Sequence, residues 1–227
     1  MSPHSSCADN NMMSTISQWL PYLAQGALVT VKITLLSGVV AMLLALISGL
    51  GRLSALKPIR WLAGGYIELF RAASLLVLLF WVYFALPIAG LDLSKTWSAV
   101  LAIGLNIGAY GGEIVRSAIQ AIPKGQYEAS VALNLSPLAR MRSVILPQAI
   151  ARMLPPMGNL WIEMLKSTSL VYFITMADLT YEAMILRNNY YTDTPLIFGL
   201  LLLIYYVMAS CIAVPVKWLE RKLTAWR

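Results

Sequence analysis

PKGQYEASVALNLSPLARMRSVILP, residues 123 to 147, is the longest polar interruption in an otherwise strongly apolar chain. Its local signals predict two short helices around a sharp turn. Pro123 stops whatever helix precedes it. Residues 126 to 133 are good helix formers, and Tyr127, Val131 and Leu135 recur at four-residue spacing, giving one apolar stripe. Asn134 stands where that helix must end, and asparagine tolerates the left-handed conformation of a C-terminal cap better than most residues. Ser136-Pro137 reads as an N-cap followed by proline in a new first turn. Leu146-Pro147 is expected to end that second helix and open the next apolar segment. A helical elbow of this kind suits a docking surface; an ordinary solvated loop is the other reading of the same residues.

The rest of the chain sets the elbow in a membrane. Of 227 residues, 59% are hydrophobic and 12% charged, with a mean hydropathy of +0.71. Soluble domains are closer to half apolar and a quarter charged. The expected fold class is therefore an all-α membrane protein. Residues 1–25 hold no Lys or Arg and lack the basic start of a cleavable signal peptide; they are read as a periplasmic N-terminal segment. Residues 26–227 form one transmembrane domain. Apolar runs of about 20 residues can cross a bilayer. Five such segments are expected: 26–50, 61–86, 96–121, 148–177 and 195–216. The elbow lies between the third and the fourth.

Basic residues orient the spans. With the N-terminus outside, the inner loops hold Arg52, Lys57, Arg60, Arg116, Lys124, Arg140, Arg142, Arg152, Lys217, Arg221, Lys222 and Arg227, which is twelve of the seventeen. The outer loops hold Lys95 and Arg187. The N-terminus is then out, the C-terminus in, and the elbow cytoplasmic. This scatter over short loops, with a net charge of +7, excludes nucleic acid as a partner. Cys7 and Cys211 make no disulfide framework or metal spacing, and no metal site is expected. His4 is the sole histidine, so histidine acid–base chemistry is excluded, and no intramembrane nucleophile with a base is visible.

Gly104, Gly108 and Gly112 repeat every fourth residue in the third span, a ladder for close helix packing. They are not a phosphate loop, because no Lys-Ser/Thr pair follows. No nucleotide motif occurs, so any ATP must be held by another polypeptide. A charge at membrane depth costs about 2.5–3.5 kcal/mol on insertion scales. Three pairs stand three residues apart and are expected to neutralise themselves along one helix face: Glu68 with Arg71, Glu113 with Arg116, and Glu163 with Lys166. The last pair lies deepest, after Pro155-Pro156, where a broken helix ladder is expected. A cavity-lining role and a buried structural ion pair are both open for it.

The elbow resembles the signature loop of ABC-importer membrane subunits: Glu-Ala-Ala, three residues, Gly, nine residues, Ile, one residue, Leu-Pro. Here it reads Glu128-Ala129-Ser130, then Asn134, then Val144-Ile145-Leu146-Pro147, with every spacing kept. Ser130, Asn134 and Val144 are the departures. YIELFRAASLLVLLFWVYFALP, AYGGEIVRSAIQAIPKGQYEAS and LPPMGNLWIEMLKSTSL look like span signatures of the polar amino-acid uptake branch. ALNLS, GNLWIEMLKSTSLVYFITMADLT and IYYVMASCIAVPVKWLERK are most similar to ectoine/hydroxyectoine permease subunits.

The resemblance implies a multi-pass subunit of the bacterial inner membrane that does no chemistry on its substrate. It implies two permease subunits, identical or sisters, with ATPase subunits below and a periplasmic substrate-binding protein above. It implies that Glu128, Ala129, Ser130 and Asn134 shape a coupling elbow that meets the ATPase, and that Leu146 and Pro147 set where the elbow rejoins the membrane. Asn159, Glu163, Lys166, Ser167 and Thr168 are the candidates for the path of a small zwitterionic solute. An ion-coupled secondary transporter is the alternative; it has a use for Glu163 and Lys166 but none for the elbow.

Overall fold

The computed structural model describes the backbone of residues 5–224 and the side chains of residues 16–222. His4 and Arg227 lie outside the described residues, as does the side chain of Cys7. Among the described residues the chain is helical throughout and holds no strand.

The first helix, α1, spans Ser5–Arg52 and crosses position 25 without a break. The expected boundary there is not an element boundary. The reason is packing. Trp19 and Leu23, upstream of it, are each 1% exposed and sit in one cluster with Leu179, Ala183, Leu186 and Ile197.

The second segment departs most from expectation. Helix α2, Lys57–Ala72, and helix α3, Leu75–Phe80, are separated by extended backbone at Ala73 and Ser74. The chain bends there by 104°. Nothing in Ala72-Ala73-Ser74 forbids a helix. A tertiary contact holds the break open: the buried Asn106 carboxamide donates to the Phe70 carbonyl at 2.7 Å and to the Ala73 carbonyl at 3.4 Å. Carbonyls freed by the break thus keep partners, as backbone at membrane depth requires. After α3 the chain widens into a π turn at Trp81–Ala85 and stops at Gly90, whose φ is 86°.

Helix α4, Lys95–Gln120, is the central one, capped by Ser94. Its glycine ladder does what its spacing predicts, admitting α1. A Cβ on Gly104 would lie 2.7 Å from Val40 Cγ1, and one on Gly108 2.8 Å from Leu44 Cβ. One on Gly112 would lie 2.2 Å from Ser48 Oγ.

After Ala121 come the two elbow helices, α5 at Lys124–Ala132 and α6 at Pro137–Arg140. A π turn at Met141–Ile145 then leads straight into α7, Leu146–Ser167. Leu146-Pro147 therefore does not end a helix. In the π turn the Leu146 N–H bonds five residues back, to Met141, and the wider register carries the chain past the donor missing at Pro147. Pro155 and Pro156 do not break α7 either. Proline's own φ is helical, so the pair removes two hydrogen bonds while the helix continues through them. Irregular backbone comes later, in a 3₁₀ stretch at Thr168–Ile174 that ends on Thr175 at φ 55°. Lys95 Nζ donates to the Thr175 carbonyl at 3.1 Å and to its hydroxyl at 2.8 Å, tying this turn to the start of α4.

Buried Asp178 caps α8, Leu179–Asn189, by accepting from the N–H groups of Thr180 and Tyr181. Helix α9, Thr194–Thr224, completes the fold. Among the described residues three helices are long and apolar enough to cross a membrane, or five if each of the two bent pairs counts as one span.

Candidate functional site

The elbow is built as its residues predict. Asn134 has φ 54°. Its N–H bonds the Val131 carbonyl at 2.8 Å, and the Leu135 N–H reaches back to the Ser130 carbonyl at 3.1 Å. Those two bonds around a left-handed residue are the Schellman motif. Ser136 Oγ then accepts from the Ala139 N–H at 3.3 Å and starts α6.

The elbow is tied to the spans on both sides. Ile122 and Ile145 are buried in one cluster, and Tyr127 packs against it. Arg152 of α7 donates to the Ala121 carbonyl at 2.6 Å, at the end of α4. Gln148 donates to Gln126 at 3.2 Å, joining α7 to α5. The elbow is therefore joined to α4 and α7 together through packed side chains and hydrogen bonds.

The expected coupling residues separate into four places. Glu128 and Ala129 are exposed, and the Glu128 carboxylate has no ionic or hydrogen-bonding partner among the described residues. Ser130 is buried, with its hydroxyl donating to the Tyr127 carbonyl at 2.7 Å, which explains how a polar residue fits a position where the family pattern has alanine. Asn134 is at the tip. Leu146 and Pro147 lie behind, inside the continuous helix. Around the tip Val131, Leu133 and Leu138 are 56%, 74% and 78% exposed. The apolar stripe expected of Tyr127, Val131 and Leu135 is divided, since Tyr127 packs on the buried cluster while Val131 is exposed. The outward apolar rim it shares with Leu133 and Leu138 went unread, although three large apolar residues in a polar loop were the available signal.

On α7 the structure brings Asn159, Glu163 and Lys166 onto one exposed face, at steps of four and three residues. Glu163 and Lys166 form no ion pair, contrary to their spacing, and both stand exposed on the outer face of α7. Lys166 lines a groove of about 610 Å³ between α7 and α9, with Ser169, Tyr205, Tyr206 and Ser210. Ser167 is half-buried, and Thr168 is fully buried with its hydroxyl donating to the Leu165 carbonyl at 2.7 Å.

Of the other expected pairs, Glu113 and Arg116 are joined, with Arg116 Nε donating at 2.9 Å. Glu68 instead pairs with Arg52 at 2.9 Å, a contact from α1 to α2 that no local spacing reveals. Arg71 lies over the Tyr110 ring, 5.3 Å from its centroid. Among the described residues no group of His, Cys, Asp and Glu could hold a metal ion.

Residues 41–225 match the family model described as the inner membrane component of binding-protein-dependent transport systems. A probable amino-acid ABC transporter permease, y4tF of Sinorhizobium fredii, is 45% identical over 92% of this chain and 90% of its own length. The L-cystine transport system permease TcyB of Bacillus subtilis is 34% identical over 89% of this chain and 87% of its own. The crystal structure of an amino acid ABC transporter with histidines superposes with a TM-score of 0.85 at 35% identity, covering 92% of this chain and 97% of that one. An inward-facing MetNI methionine ABC transporter shares the fold, with a TM-score of 0.71 at 20% identity. These relatives are transport permeases, and this chain, like them, is not an enzyme. It is a multi-pass inner-membrane protein, and it belongs to the family of binding-protein-dependent transport-system inner-membrane components.

Proposed function

We propose that this chain is the permease subunit of an ATP-driven importer for a small zwitterionic solute: a polar amino acid, or ectoine or hydroxyectoine. The observation that carries the reading is the elbow, a rigid cap with an apolar rim, bonded to α4 and α7 together. Five spans run with the N-terminus outside and the C-terminus inside, which puts the elbow in the cytoplasm where an ATPase subunit can seat on it. ATP is bound by that partner and not by this chain. A second permease, a sister or another copy, faces the Asn159–Glu163–Lys166 side of α7, because unpaired charges at membrane depth need a partner or water. A periplasmic binding protein delivers the solute to the path between them.

The test is uptake by proteoliposomes holding the permease, its ATPase and its binding protein. Labelled amino acids and labelled ectoine are offered with internal ATP and no ion gradient. Uptake that needs ATP and the binding protein supports the reading. Uptake driven by a proton or sodium gradient without ATP overturns it in favour of a secondary transporter.

A further inference from the structure

Arg52, Lys57, Arg60, Trp61, Arg116 and Gln120 line a cleft of about 420 Å³ at the elbow end of the bundle, where α1 ends, α2 begins and α4 ends. Its charge is not balanced. Glu68 neutralises Arg52 and Glu113 neutralises Arg116. Lys57 and Arg60 are exposed and have no acidic partner among the described residues. Two net positive charges therefore face the cleft. The first turn of α2 adds to them: its N-cap, Leu56, has no side-chain cap, so the positive end of the helix dipole opens beside Lys57.

The rim of the same cleft is apolar. Trp61, which lines the cleft, is 82% exposed, its chain neighbour Leu62 is 71% exposed and Leu56, just before Lys57, is 60% exposed; Trp61 stands where a tryptophan suits the boundary between headgroups and acyl chains. Cations within and bare apolar side chains along the edge match a molecule that joins a phosphate to hydrocarbon. A free phosphate would use the cations and leave the apron uncovered.

We infer that this cleft is a binding site for the phosphodiester headgroup of an anionic phospholipid, with Lys57 and Arg60 holding the phosphate and Trp61 and Leu62 lying along the acyl chains. Arg52 and Arg116, fixed by their glutamates, form the back wall. Gly64 lets Arg52 lie flat on α2, since a Cβ there would stand 1.9 Å from Arg52 Nη1. A site in this position holds lipid against the three helices that lead into the elbow. The inference rests on the proposed orientation only for the leaflet, which is the cytoplasmic one.

The test uses the intact importer in nanodiscs of phosphatidylcholine doped with phosphatidylglycerol, released for native mass spectrometry. The wild-type permease retains phosphatidylglycerol in preference to phosphatidylcholine. The double variant Lys57→Gln/Arg60→Gln loses that retention about tenfold or more. Lys57→Arg/Arg60→Lys, which keeps both charges, restores it. Equal retention by the wild type and the glutamine variant overturns the site. Binding of glycerol 3-phosphate as tight as that of phosphatidylglycerol overturns the lipid assignment in favour of a soluble phosphate. Loss of the ATPase subunits from the glutamine variant, with lipid retention unchanged, overturns it in favour of a protein contact. Retention does not depend on transport, so an inactive importer that still selects phosphatidylglycerol supports the site while failing the transport reading.

Discussion

The Asn106 carboxamide in the middle of α4 donates to the Phe70 carbonyl at the end of α2, at 2.7 Å. Asn106 is 6% exposed and makes a second, longer bond to the Ala73 carbonyl. One side chain thus satisfies backbone carbonyls at the end of α2 and within the break where the chain bends by 104°. Asn106→Leu keeps the volume and removes both donors. A buried acceptor left without its donor costs about 1–3 kcal/mol. The purified permease should lose thermal stability accordingly, read as a lower Tm in detergent. An unchanged Tm would show that the bend holds itself open without Asn106.

Gly108 leaves no room for a side chain between α1 and α4. A Cβ there meets Leu44 Cβ at 2.8 Å, the Tyr66 hydroxyl at 3.0 Å and the Ala41 carbonyl at 3.2 Å. None of the three is the loose end of a flexible aliphatic chain. Gly108→Val should cost about 1–3 kcal/mol through overpacking. Gly65→Ala on α2 is the control, since nothing lies within 4 Å of its added Cβ. Limited proteolysis of membranes carrying each variant gives the comparison; equal resistance would remove the ladder's packing role.

The glycine ladder and the elbow were legible in the sequence because each is decided by neighbours a few residues away. A cap needs its own two hydrogen bonds, and a ladder needs only its spacing. The bend at Ala73 was not legible, because its cause sits 33 residues downstream at Asn106. Glu68 was assigned to Arg71 by the same local logic and pairs instead with Arg52, 16 residues upstream. Prolines misled in the opposite direction. Pro147 read as a helix end and Pro155-Pro156 as a break in the ladder, yet all three lie within one continuous helical run. A π turn and the loss of single hydrogen bonds accommodate them, and neither leaves a signal in residue type. On α7 the three-residue spacing of Glu163 and Lys166 predicted an ion pair that does not form, because the spacing fixes a shared face and not a bond across it.

Topology gives the next expectation. The proposed orientation rests on twelve basic residues in the loops read as inner against two in those read as outer. A reporter fused after Arg227 should be active only as a cytoplasmic marker, and one inserted at Asp92 only as a periplasmic one. The reverse at either site removes the five-span arrangement, and with it the cytoplasmic elbow.

Asn134 separates geometry from chemistry at the tip. Its φ of 54° is open to glycine without strain and costs an ordinary residue about 1–2 kcal/mol. A β-branched side chain is the worst fit. Asn134→Gly should keep co-purification with the ATPase and transport near the wild-type level. Asn134→Val should weaken both, because Leu135 can no longer reach the Ser130 carbonyl. Identical behaviour of the two variants would mean that the left-handed turn is not what the partner requires.

Glu128 tests the coupling role itself. It lies on α5 five residues after Pro123, exposed, beside Ala129 and on the same elbow as the apolar rim of Val131, Leu133 and Leu138. An acidic residue near a helix N-terminus favours the helix dipole by about 0.3–1 kcal/mol. If that were its whole role, Glu128→Gln would barely matter. Its carboxylate has no partner within the described residues, so its removal breaks no bond of this fold. A charge-assisted bond to a partner in a protected interface is worth roughly 1.5–3 kcal/mol. That corresponds to about tenfold to over a hundredfold in an equilibrium constant. Glu128→Lys should therefore insert normally and pair with its companion permease. It should lose ATPase affinity by that factor, or let the ATPase run without uptake. The reconstituted complex reports both, as substrate-stimulated ATP hydrolysis and transport measured together. Normal values for both would leave the carboxylate without a coupling role. Failure to insert would mark Glu128 as a folding determinant, against the exposed and unpartnered position it holds in the structure.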